Sequence, residues 1–208
     1  MKKHCFIFFA VFSLLFVACG GSSVKIDDNL SSEEAQVVIK TEKSLPRGSK
    51  IESYQVVKSK LPLAMMDGPY KTYRDQANKA RIDYRTNITR GLDQVAQKNL
   101  ETLQNIQSQI VEKASNLETT SPEFIFVLAN VKEKTRRDGN LTAYISVFDA
   151  QNLQQDDLVQ VTTPLYNNAV MITEALNGKL SEPNPETAAE NLSSSNPVVN
   201  FILQSNPK

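Results

Sequence analysis

FIFVLANVKEKTRRDGNLTAYISVFDA, residues 124–150, decides the fold. The stretch opens on aromatic, β-branched and aliphatic residues. Its second half then puts Leu141, Ala143, Ile145 and Val147 on one side, with Tyr144 and Phe148 on the other. A repeat of two is that of a strand, so strands are predicted over 124–135 and 141–150. Between them Arg136-Arg137-Asp138-Gly139-Asn140 supplies the turn, Asp-Gly being a strong short hairpin signal.

Working toward the C-terminus, DLVQVT (157–162) reads as a further strand. Thr163-Pro164 opens a helix, with Thr163 as N-cap and proline at the first helical position. That helix runs to Leu176 and stops at Asn177-Gly178. Residues 181–197 are polar and broken by proline. Val198, Val199, Phe201, Ile202 and Leu203 then form a short apolar patch that is expected to dock on the domain.

Working toward the N-terminus, residues 70–117 hold no proline and repeat apolar side chains at Ile88, Leu92, Val95, Leu103, Ile106, Ile110 and Leu117. Spacings of three, four and seven mark one helix face. A single helix of that length would reach about 72 Å, against a diameter of about 40 Å for a compact body of this size. A break is therefore expected at Gly91, where Arg90 suits a helix C-terminus and glycine the left-handed cap. Upstream, MMDGPY (65–70) reads as a turn and IESYQVVKS (51–59) as a strand. The fold class is α+β: a long helix or kinked helix pair packed on a small antiparallel sheet, plus a C-terminal helix. One domain is expected over 50–180, followed by the polar segment 181–208. Residues 19–49 read as a flexible tether, although AQVVIK (35–40) could be a short strand or a helical turn.

The first eighteen residues read as a signal peptide. Lys2 and Lys3 precede an apolar run too short for a bilayer span, which ends at Ala18-Cys19. Val17, Ala18 and Cys19 match the end of a lipobox, with Phe16 where leucine is usual, so the N-terminus resembles that of bacterial membrane-anchored lipoproteins. The resemblance implies cleavage before Cys19, acyl chains on its thiol and new amino group, and a membrane as partner. No aspartate follows Cys19, which in such proteins implies the outer membrane and a periplasm-facing body.

Removing that leader takes away His4, Cys5 and five of the nine phenylalanines. A body with no His and at most one Cys excludes Ser-His-Asp and Cys-His catalysis, zinc fingers and haem ligation by His. It retains 21 basic and 23 acidic residues, a net charge of −2, so nothing calls for nucleic acid. No phosphate-binding glycine loop and no calcium-loop spacing occurs, so no cofactor and no metal is expected. Tyr73, Arg74, Arg81, Tyr84 and Arg85 share one side of the predicted helix and form the candidate ligand platform. The plainer reading packs the tyrosine face and lays the arginine stems over the core. Three roles stay open: a non-enzymatic binding or structural module for an envelope protein or glycan, a carboxylate-dependent hydrolase of envelope glycans, and a subunit whose helices pair into an oligomer. Glu118, Glu123, Glu133 and Asp138 are the hydrolase candidates.

Overall fold

The computed structural model describes residues 24–62, 68–182 and 192–207. The leader, Cys19 and the first half of the predicted 65–70 turn lie outside them, and residues 68–70 of that turn are helical instead. The fold is α+β: a four-stranded antiparallel sheet in the order β1 (Lys50–Lys60), β2 (Glu123–Lys132), β3 (Thr142–Asp149), β4 (Gln155–Gln160). The predicted hairpin is its centre, with Leu128 opposite Ile145. The strands stop short of the turn, so the connection spans 133–141, and Asp138 accepts the Asn140 N–H at 3.1 Å inside it.

Alternation along β2 and β3 feeds two apolar cores. Phe126, Leu128, Ala143, Ile145 and Val147 face one, while Ile125, Val127, Ala129, Val131, Tyr144 and Phe148 face the other. Both faces of the sheet are covered, and this corrects the tether. Residues 32–44 are a helix, α1 (Ser32–Ser44), whose Val37, Val38 and Thr41 are buried over the second core. Ser31 and Glu34 form a reciprocal capping box that satisfies two otherwise orphaned N–H groups. Those bonds also hold the Glu34 carboxyl below its ordinary pKa. Even Val24 is buried, so the packed body begins well before residue 50.

The helices of the first core are α2 (Gly68–Thr89), α3 (Asp93–Thr120), α4 (Thr163–Leu176) and α5 (Pro197–Ser205). The break between α2 and α3 falls at Gly91 (φ +71°), a conformation that glycine adopts without strain. The pair forms an antiparallel helical hairpin that joins β1 to β2 and packs chiefly on α4. Its Leu103, Ile106 and Ile110 share the first core with the sheet. The stripe expected to be available for pairing between copies is thus largely consumed inside the chain. Leu92, Val95 and Val111 remain exposed. One cap also differs from expectation. Thr162, not Thr163, is the N-cap of α4, which moves Pro164 one place inward. The apolar patch near the C-terminus is α5, capped by Asn196 and buried through Val198, Val199 and Ile202.

Candidate functional site

The predicted platform on α2 does not assemble. Arg81 is 8 % exposed and turned onto α4, where Nη1 donates to Glu174 Oε2 at 3.1 Å and Nη2 to the Leu180 carbonyl at 2.9 Å. Burial raises the Glu174 pKa, and the neighbouring Arg81 charge only partly offsets the rise. Arg74 likewise turns to α4, donating to the Pro164 carbonyl and to Asn168 Oδ1. Tyr73 is half-buried and packs edge-on against the fully buried Tyr70, with centroids 6.1 Å apart. Tyr84 is half-buried and Arg85 exposed. Helix periodicity could not show that a second helix, about ninety residues on, lies against the side that carries Arg74 and Arg81. Tyr73 lines a shallow groove of about 370 Å³ shared with Gln109, Glu112 and Lys113.

Of the hydrolase candidates, Glu133 and Asp138 lie in the β2–β3 connection, Glu118 near the end of α3 and Glu123 at the start of β2. Glu133 accepts the Tyr144 hydroxyl proton at 2.6 Å, and that bond together with burial raises the phenol pKa. The Asp138 carboxyl is held below its ordinary value, chiefly by the Asn140 N–H. Glu118 and Glu123 are exposed.

A cleft of about 460 Å³ lies where three distant segments meet. The β2–β3 connection and start of β3 bring Arg136 and Asn140–Ala143, the β4–α4 junction brings Gln160–Pro164, and the end of α5 brings Ser205–Pro207. The volume is within the range of small-ligand sites. The register dictates the convergence: Gln160 pairs with Tyr144, so the exit of β4 stands beside the entry of β3. The Val161 N–H extends that pairing by donating to the Ala143 carbonyl at 2.8 Å. Arg136 Nη1 donates to the buried Thr142 Oγ1 at 3.2 Å, which fixes the guanidinium at the rim. The rest of the lining is hydroxyl, amide and apolar, with no carboxylate among the described residues. Such a surface can orient a polar ligand. Sequence reasoning placed Arg136 in a solvated turn; nothing local marked it, because the cleft exists only through long-range register.

No described group of His, Cys, Asp and Glu could hold a metal ion, and no described helix is long and apolar enough to cross a membrane. No family model matches this chain, and it matches no curated protein and no solved structure.

Proposed function

We propose that this chain is a lipid-anchored protein of the bacterial cell envelope, a non-enzymatic binding module held at the outer membrane and facing the periplasm. The position of Cys19 carries the reading: it closes an apolar leader and stands five residues before Val24, the first described residue, which is buried in the body. A cysteine at the end of such a leader is accounted for by acylation, as in the lipoproteins that the leader resembles. Acyl chains on Cys19 would hold the body within about 17 Å of the bilayer, the reach of five extended residues. The cleft beside Arg136, whose described lining is rich in hydrogen-bonding groups and holds no carboxylate, supports the binding reading.

Expression in a bacterium that processes lipoproteins tests the anchor. The purified chain is expected to begin at Cys19 and to carry the mass of its acyl chains, and Cys19→Ala is expected to leave the membrane fraction. An unmodified thiol in the mass spectrum, or a Cys19→Ala chain that stays with membranes after a high-salt wash, would refute the anchor.

A further inference from the structure

We propose that the cleft seats a small ligand bearing a carboxylate, a short peptide with a free C-terminus, and that the Arg136 guanidinium is its recognition group. The ion pairs among the described residues are Arg74–Asp75 and Arg81–Glu174, so no described carboxylate is a direct partner of Arg136. Its bond to Thr142, which is 4 % exposed, ties one nitrogen to the scaffold. A guanidinium held in this way loses little freedom when a carboxylate docks on its remaining donors, and the planar fork matches the two carboxylate oxygens.

Charge balance favours a monoanion. Among the described residues Arg136 is the only charged group in the lining. Two carboxylates of the same connection, Glu133 and Asp138, stand near enough to matter, since the Arg136 charge helps depress the Asp138 pKa. A phosphate group, carrying about −1.5 to −2, would face one cation and two nearby anions. A carboxylate, carrying a single negative charge, pairs with that cation and is repelled less by the two anions than a phosphate is. Asn140 and Gln160 bring amides that can pair with peptide N–H and C=O groups, and Val161 and Ala143 supply an apolar floor.

The test uses the full chain in mild detergent, labelled for amide NMR, so the readout holds whether or not Cys19 is acylated. The probes are N-acetyl-dialanine, the same compound with its carboxylate converted to an amide, and inorganic phosphate. The free acid is expected to shift the amides of Asn140, Thr142, Gln160 and Thr163 in a saturable way. The amide probe and phosphate are expected to bind at least about tenfold more weakly. Arg136→Ala should weaken binding of the acid by about tenfold or more while the rest of the spectrum stays in place, and Arg136→Lys should fall between. Equal binding of acid and amide, displacement of the acid by phosphate at lower concentration, or an unaffected Arg136→Ala would each overturn the proposal. Should the alanine variant unfold, the acid–amide comparison on the unaltered chain and the lysine variant still decide it.

Discussion

At Arg81 the two ends of one side chain answer different needs. Its stem fills the space between α2 and α4, and its head neutralises a carboxylate that is 4 % exposed. Its Nε is buried with no hydrogen-bond partner, so the head is not fully satisfied even in this arrangement. Arg81→Met keeps most of the stem and removes the charge, leaving Glu174 buried without its cation. The expected loss at neutral pH is about 3–5 kcal/mol, read from urea unfolding. The dependence on pH follows from the raised Glu174 pKa. A carboxyl that binds its proton more tightly in the fold than in the unfolded chain contributes most below its unfolded value, and the contribution falls as pH rises through the folded value. Without Arg81 the folded value rises further, so the deficit of Arg81→Met should shrink as pH is lowered from about 7 toward the unfolded carboxyl value of about 4.3. A deficit that is small at neutral pH, or that grows on acidification, would mean that the pair does not hold α2 to α4.

Among the elements, α1 separates two pictures of the N-terminal region. A tether would expose Lys40 and Lys43 to trypsin within minutes, whereas a helix with Val37 and Val38 fully buried protects its backbone until the body opens. Lys40 is held further by donating its ammonium to the Leu153 carbonyl at 2.6 Å. Limited trypsin digestion of the native chain is therefore expected to spare both sites; early cleavage at either would return this segment to a spacer. The same contrast shows how much of the architecture is legible in the sequence. The hairpin, the helix pair and its break at Gly91 are readable because strand alternation, a long run without proline and one glycine are local signals. The short apolar run of α1, AQVVIK (35–40), fits a strand as well as a helix, and it is too short for its periodicity to decide between them. Its one firm signal is Ser31-x-x-Glu34, a capping box that polar composition disguises as linker. The Arg81–Glu174 pair spans 93 residues and the cleft three separate segments, and no periodicity reports on either.

For the molecule as a whole, the central strands are the shared wall of two cores, and both covers should contribute to stability. Ile125 and Leu128 are three residues apart on β2 and point to opposite faces, one under α1 and the other toward the helices. Each is essentially inaccessible to solvent. Ile125→Ala and Leu128→Ala are therefore expected to cost about 2–5 kcal/mol each, the range for opening a cavity in a packed interior. If α1 were only loosely associated, Ile125 would lie on a wet sheet face, and its truncation would cost within about 0.5 kcal/mol, as surface changes do. Chemical unfolding of the two variants tells these apart, and the slope with denaturant adds a second reading. A body that unfolds as one unit keeps the same slope in both variants. A slope reduced only in Ile125→Ala would mean that α1 detaches first and leaves the helix-covered core intact. The equal-slope outcome is expected here, because Ile125 and Phe148 of the second core occupy the same strands as Phe126 and Val147 of the first, and neither strand can keep one face while losing the other.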